Sequence, residues 1–162
     1  MKTIEIAAKI QILDENELSL EQKNVIEAAK NATLRSYSPY SQFKVGAACL
    51  LDNGEILSGS NQENAAYPSG TCAERTLLFY ALSQYPDAKV KTLCVVGRNV
   101  SGEFTDTVCS PCGACRQVIL ECEYRSGGPI EILLPCQEGI YRFNGISTLL
   151  PFGFTYDDVT KM

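Results

Sequence analysis

The segments Cys72-Ala73-Glu74 and Pro111-Cys112-Gly113-Ala114-Cys115 decide how this chain is interpreted. Together they supply three thiols and one carboxylate in the spacing of a metal site. Catalytic zinc usually takes three protein ligands and keeps a fourth position open for water, whereas structural zinc usually has four protein ligands. The pattern therefore predicts a catalytic zinc site whose ligands are Cys72, Cys112 and Cys115.

The carboxylate of Glu74 is the predicted proton carrier of this site. The chain contains no histidine, so no imidazole is available as a ligand or as a general base. On a regular helix Glu74 points in a different direction from Cys72, two residues earlier, and can flank the open position of the metal. We therefore expect Glu74 to transfer protons and not to bind zinc.

The second pair of cysteines is spaced to share a metal ion. Pro111 favours a helix start immediately before Cys112, and Cys112 and Cys115 then lie on one side of the first turn. Helix amino ends also stabilise thiolates. Two alternatives remain open at this point. One is a redox dithiol, and the other is a structural zinc module in which Cys109 is the fourth ligand.

Two arginines are spaced to contact ligand sulfurs. Arg75 lies three residues after Cys72, and Arg116 lies four residues after Cys112. Zinc with three thiolates carries a negative formal charge, so a neighbouring cation would restore its electrophilicity. Both sulfur contacts are hypotheses, and an exposed salt bridge is the alternative for Arg75.

Length, composition and charge indicate one acidic domain in the cytoplasm. The 162 residues are 45% apolar and fit a single domain, residues 1–162. Eight cysteines without a signal-like start favour a reducing compartment over a disulfide framework. The net charge of −5 opposes binding to nucleic acid. No apolar run is long enough to span a membrane.

Periodicity and turn signals predict alternating helices and strands. Ser19 and Gln22 form a capping box ahead of the first helix, and Asp52-Asn53-Gly54 is a hairpin turn between antiparallel strands. Helices are predicted at residues 20–35, 72–85 and 112–124, and strands at 43–51, 55–60, 90–96, 130–134 and 140–143. This order predicts an α/β fold, a three-layer α/β/α sandwich with a mixed sheet of about five strands.

Taken together, the motifs resemble the small tetrameric class of zinc-dependent cytidine deaminases, from about Leu20 to Asp158. The matching segments are YSQFKVGAA (40–48), GSNQENAAY (59–67), CAER (72–75), SPCGACRQ (110–117) and LLP (149–151). The resemblance implies hydrolytic deamination of cytidine and 2′-deoxycytidine in pyrimidine salvage. It also implies one zinc ion per chain on Cys72, Cys112 and Cys115, with Glu74 as the proton shuttle.

The same resemblance implies a substrate pocket beside the zinc. Asn61 and Glu63 would bind the ribose hydroxyls, Phe43 would line the pocket, and the Ala73 backbone would hydrogen-bond the base. A carboxylate suits a neutral hydroxyl and repels a phosphate, so Glu63 predicts free nucleosides and not nucleotides as substrates.

The resemblance further implies a homotetramer with shared active sites. An aromatic side chain from a neighbouring subunit would cover the pyrimidine, and the register from LLP puts Phe154 there, with Phe152 as the alternative. Tyr67 would lie near the subunit junction. Arg116 and Gln117, together with Arg75, would surround the zinc ligands. The chain departs from the family pattern in an N-terminal extension, residues 1–19, in Pro68-Ser69-Gly70, and in a longer segment at residues 100–109.

Two other substrate classes compete with cytidine. Deaminases of another cytosine nucleoside, the antibiotic blasticidin S, resemble the same zinc motifs, although Asn61, Glu63 and the C-terminal phenylalanine favour cytidine. A deaminase acting on nucleic acid would need phosphate contacts and stacking platforms, which this acidic chain does not indicate.

Overall fold

The computed structural model describes residues 1–160, which form one mixed β-sheet flanked by helices. The strands are β1 (Gln11–Leu13), β2 (Lys44–Leu51), β3 (Ile56–Ser60), β4 (Val90–Arg98), β5 (Glu131–Cys136) and β6 (Gly139–Asn144). The α-helices are α1 (Leu20–Ala32), α2 (Ala73–Gln84), α3 (Gly113–Ser126) and α4 (Tyr156–Thr160). The strand order is β1-β6-β5-β4-β2-β3, and β4 and β5 form the parallel pair within it.

The first helix begins and ends close to the predicted residues. Ser19 is its N-cap and exchanges hydrogen bonds with Gln22, which is the predicted capping box. The regular helix ends at Ala32, and a 3-10 turn over Thr33–Arg35 completes the predicted length.

The hairpin prediction is also confirmed. Strands β2 and β3 are antiparallel, with Gly46 opposite Ser60 and Leu50 opposite Ile56. Gly54 in the connecting turn has φ of 89°, a left-handed conformation that glycine adopts without steric cost.

Two apolar clusters, one on each face of the sheet, define three layers. Val25, Ile26 and Ala29 of α1 pack on one face, whereas Leu77 of α2 and Ile119 of α3 pack on the other. Glycines let two of the helices approach the sheet closely. A Cβ added at Gly46 would lie 2.1 Å from the Ala29 carbonyl oxygen of α1, and one at Gly59 would lie 2.9 Å from the Leu77 amide nitrogen of α2.

The predicted three-layer α/β/α sandwich with a mixed sheet is therefore confirmed, and the sheet has six strands where about five were predicted. The sixth strand is β1, which lies within the N-terminal extension and pairs antiparallel with β6. Leu18, also in the extension, is buried in the α1 cluster. Within the part of the chain that the structure describes, no helix has the length and apolar character needed to cross a membrane.

Candidate active site

Three thiols meet where α2 and α3 begin. Cys72 is the N-cap of α2, Cys112 is the N-cap of α3, and Cys115 lies in the first turn of α3. Neither N-cap thiol caps its own helix. The two helices pack on the same face of the sheet, so residues distant in sequence become neighbours.

The spacing of these sulfurs fits a zinc ion. All three Sγ atoms lie within 4.8 Å of one another, and the Sγ atoms of Cys72 and Cys112 are 3.8 Å apart. Zn–S bonds of about 2.3 Å in a tetrahedral arrangement place two sulfurs about 3.8 Å apart. Cys115 is buried, Cys72 is half-buried and Cys112 is exposed, so the cluster opens toward solvent on one side.

The thiols hold their protons unequally. The hydrogen-bonding interaction with Cys115, followed by those with Arg75 and Cys112, lowers the pKa of the Cys72 thiol to about 5. The same interaction with Cys72, together with burial, raises the pKa of Cys115. A thiolate already favoured at one position is the donor chemistry that zinc requires.

The carboxyl group of Glu74 is buried beside the cluster. It lies in the first turn of α2, and only 4% of the residue is exposed. Burial raises its pKa, and the negative charge of Cys72 adds to that shift, while an interaction with the Cys115 thiol acts in the opposite direction. A carboxyl group with a raised pKa is suited to accept and release protons near neutral pH.

Arg75, in the first turn of α2, lies close to Cys72. Its Nη2 atom is 3.9 Å from the Cys72 sulfur, as the spacing predicted. Its Nε atom is buried and has no hydrogen-bond partner among the described residues. The guanidinium therefore supplies positive charge next to a cluster that becomes negative when three thiolates bind a divalent ion.

We expect Arg75→Gln to weaken zinc binding or to lower turnover by about 10–100-fold, the effect usual for groups that support metal ligands. The measurement is a competition titration with a zinc chelator, together with the steady-state rate. Arg125→Gln, an exposed change near the carboxyl end of α3, is the matched control. Parent values of both zinc affinity and rate in Arg75→Gln would show that this cation does not support the site.

Arg116 and Gln117 hold the C-terminal segment in place. The Arg116 guanidinium donates to the Pro111 carbonyl at 2.8 Å, the Leu149 carbonyl at 2.7 Å and the Ser110 hydroxyl at 3.1 Å. The hypothesis that Arg116 donates to the Cys112 sulfur is therefore wrong, because backbone carbonyls and a hydroxyl engage its donors instead. Gln117 donates to the Phe154 carbonyl at 2.7 Å.

Asn61 follows β3 directly, and a neighbouring loop fixes its side chain. Its Oδ1 accepts hydrogen bonds from the Val45 amide at 2.8 Å and the Ser36 hydroxyl at 2.6 Å, and its Nδ2 donates to the Phe43 carbonyl at 2.9 Å. The amide orientation is thereby set before any ligand binds.

Glu63 is held by the same loop. The Tyr40 amide donates to its Oε2 at 2.9 Å, and the Ser41 hydroxyl donates to its Oε1. The bond from Ser41 lowers the pKa of this carboxyl, so Glu63 is negatively charged at neutral pH. Sequence reasoning assigned no role to Ser36, Tyr40 or Ser41, and only the motif YSQFKVGAA pointed to this loop.

A cleft of about 530 Å³ joins these two groups of residues. Its lining includes Asn61, Glu63 and Tyr67 together with Cys72 and Arg75, whereas Glu74, Cys112 and Cys115 are not among its lining residues. A second cavity of about 500 Å³ lies on the α1 side of the sheet and contains no member of the thiol cluster. The cleft lined by Asn61, Glu63 and Cys72 is therefore the one next to the thiol cluster.

Other residues implied by the resemblance lie outside this lining. Phe43 packs against Gly97, since a Cβ added at Gly97 would lie 2.7 Å from the Phe43 Cζ, and Ala73 is fully buried. Phe154 and Phe152 are 62% and 86% exposed and do not line the cleft of their own chain.

Cys109 is not a fourth ligand in this arrangement. In residues 1–160, the metal-binding group of mutually close donors consists of the three predicted cysteines. Burial raises the pKa of the Cys109 thiol to about 12, which keeps it protonated. The site thus has three protein donors and an open side, the arrangement of catalytic and not of structural zinc.

Comparison with known proteins agrees with this class of site. The family model described as the cytidine and deoxycytidylate deaminase zinc-binding region matches residues 20–126. The chain is 38% identical over 141 residues to a cytidine deaminase of Sporosarcina psychrophila, covering 87% of this chain and 96% of that protein. It is 36% identical over 140 residues to the cytidine deaminase of Halalkalibacterium halodurans, covering 86% and 98%.

Solved structures give the same result. The crystal structure of cytidine deaminase from Burkholderia pseudomallei matches with a TM-score of 0.69 and 39% identity, covering 82% of this chain and 98% of that one. The fold and the three-thiol cluster define a zinc-dependent hydrolase. The chain belongs to the cytidine deaminase family.

Proposed function

We propose that the cleft converts cytidine and 2′-deoxycytidine to uridine and 2′-deoxyuridine, with release of ammonia. The chain is an enzyme of the cytidine deaminase family, and its relatives are named for the deamination of cytidine. The observation that carries the proposal is the buried Glu74 carboxyl beside three thiols, one of which, Cys72, lines the same cleft as Asn61 and Glu63.

Glu74 carries out the proposed proton transfers. Cys72, Cys112 and Cys115 would hold a zinc ion, which would lower the pKa of a bound water from 15.7 to about 7. Glu74 accepts a proton from this water and delivers it to N3 of the pyrimidine. The C–O bond forms at C4. Glu74 then takes the remaining proton of the new C4 hydroxyl group and transfers it to the 4-amino group, and the C4–N bond breaks to release ammonia and leave the C4 carbonyl. Water and nucleoside are consumed, and the carboxylate is regenerated.

The negative charge of Glu63 in the cleft favours a free nucleoside. Glu63 is ionised and oriented by Tyr40 and Ser41, and a phosphate in its vicinity would meet like charge. A ribose hydroxyl can instead donate to this carboxylate, and Asn61 lies next to it. This arrangement supports the proposal that Asn61 and Glu63 bind the sugar.

We expect Glu63→Ala to raise KM for cytidine by about tenfold or more, because hydrogen bonds to charged groups contribute about 1.5–3 kcal/mol. For cytosine-like analogues that lack the sugar hydroxyls, KM should change much less. Steady-state kinetics with both substrates is the measurement, and Glu55→Ala in the β2–β3 turn is the control. Equal effects on both substrates would contradict the ribose contact.

A substrate panel tests the proposed specificity. Purified protein is incubated with cytidine, 2′-deoxycytidine, cytidine monophosphate and blasticidin S, and the absorbance change of pyrimidine deamination is followed. The proposal requires turnover of both nucleosides and poor use of the monophosphate. Turnover of blasticidin S without turnover of cytidine would replace the proposed substrate by the other cytosine nucleoside.

We also propose that the enzyme is a homotetramer whose subunits share active sites. Aromatic side chains on α2 and near the cleft are exposed, with Phe79 59%, Tyr80 53% and Tyr67 75% exposed. Phe154 lies outside the cleft of its own chain, which supports a role over the pyrimidine of a neighbouring subunit. Phe152 is the alternative for that role.

Cytoplasmic location and a place in pyrimidine salvage belong to the same proposal. All eight cysteines are free thiols, which suits a reducing compartment. Free nucleosides as substrates suit the recovery of pyrimidines, because the reaction begins after phosphate has been removed.

A further inference from the structure

The N-terminal extension carries a strand pattern that its own fold does not use. Apolar residues alternate with others along it, at Ile4, Ile6, Ala8, Ile10 and Ile12. This period of two is typical of a β-strand with one apolar face. The structure forms a strand only over Gln11–Leu13. The four isoleucines are 71%, 54%, 43% and 49% exposed, in chain order.

Within residues 1–160, no strand pairs with the rest of this segment. Gln11 lies opposite Arg142 and Leu13 opposite Ile140, so the segment runs antiparallel to β6. Strand β6 ends at Asn144, which in this register would lie opposite residue 9. Residues 2–8 therefore extend past the end of β6. The outer side of β1 is the edge of the sheet and is open to another strand.

We propose that residues 2–12 pair antiparallel with the same segment of a second copy of this chain, about a two-fold axis at Ala7. In this register Glu5 lies opposite Lys9 of the second copy, and Ile4 lies opposite Ile10 of the second copy. The two-fold axis repeats each pair. A register centred on Ala8 would put Glu5 opposite Gln11 and Lys9 opposite Ala7, so the charges within residues 2–12 select Ala7.

This interface is separate from the cleft and independent of the proposed reaction. It adds to any assembly formed through α2 and the C-terminal segment, because it uses a different surface, the edge of the sheet formed by β1. Cross-strand contacts between isoleucines and between opposite charges are the interactions that stabilise such pairs.

Charge exchange tests the partner and the register. Glu5→Lys puts two like charges opposite each other at both ends of the interface and should weaken association by about tenfold or more. The double variant Glu5→Lys with Lys9→Glu restores opposite charges and should restore association. The mass of the zinc-loaded full chain is measured by sedimentation velocity, and Glu15→Lys, outside the segment, is the control. Equal masses for the parent, the single variant and the double variant would overturn the proposal.

Cysteine cross-linking tests the two-fold axis directly. Ala7→Cys places two thiols opposite each other within the Cα separation of 4.4–6.8 Å that disulfides need, about as far apart as paired strand residues. Mild oxidation should give a covalent dimer on a non-reducing gel, above the background of the parent chain. Ala8→Cys, one residue further along, should not be linked, because its Cα atoms are about 8 Å apart in this register. Linking through Ala8→Cys, or through neither variant, would overturn the proposal.

Discussion

Glu74→Gln will bind one zinc ion per chain and turn over cytidine at least about 10²–10⁴-fold more slowly than the parent, the contribution usual for a general acid and base. The amide keeps the size of the side chain in its buried position but cannot accept a proton from water or deliver one to the base. No histidine exists in the chain to take over the role. Steady-state rates with a zinc determination on the same sample measure both quantities.

The control for this variant is Glu121→Gln, an exposed carboxyl on α3 that should leave rate and zinc content unchanged. If Glu74→Gln lost its zinc, a low rate would not report on proton transfer. The zinc content is therefore part of the prediction. A near-normal kcat with bound zinc would contradict the role of Glu74.

Cys115→Ser will bind zinc at least about 100-fold more weakly than the parent. Removal of a direct ligand should lower zinc affinity more than removal of a residue that only supports a ligand. Cys115 is the buried member of the cluster, and its sulfur interacts with both Cys72 and Glu74. Turnover should fall with the metal content. Zinc titration and the rate at saturating zinc are the measurements.

The matched control is Cys136→Ser, which changes a half-buried thiol at the end of β5, outside the thiol cluster. It should keep parent zinc content and rate. One tightly bound zinc per chain in Cys115→Ser would contradict the assigned ligand set.

Removal of zinc from the parent separates a catalytic site from a structural one. Two apolar clusters on the two faces of the sheet hold the fold without the metal. We expect a chelator to abolish turnover while the circular dichroism spectrum remains that of a folded protein. Loss of the folded spectrum at the same chelator concentration would support a structural zinc module instead.

Local signals account for the parts of the fold that sequence reasoning predicted. The capping box at Ser19 and Gln22, the glycine at the β2–β3 turn and the proline before Cys112 each act within a few residues. The three zinc ligands were predictable for a similar reason, because they lie in two short motifs at helix starts. Their convergence in space needed the packing of α2 beside α3.

Non-local contacts explain what sequence reasoning missed. Strand β1 is three residues long and exists because β6 lies beside it, far along the chain. Arg116 engages the Leu149 carbonyl, which helix spacing cannot reveal, in place of the predicted sulfur contact. The hydrogen bonds that Ser41 and Ser36 make with Glu63 and Asn61 likewise depend on how a loop folds over the end of β3.

The absorbance assay of purified protein with cytidine, with zinc determined on the same preparation and Glu74→Gln assayed in parallel, tests the central claim most directly. The account predicts rapid loss of cytidine in the parent with one zinc per chain, and near-absence of turnover in a variant that still holds its zinc. A parent chain with one bound zinc and no turnover of cytidine would contradict it.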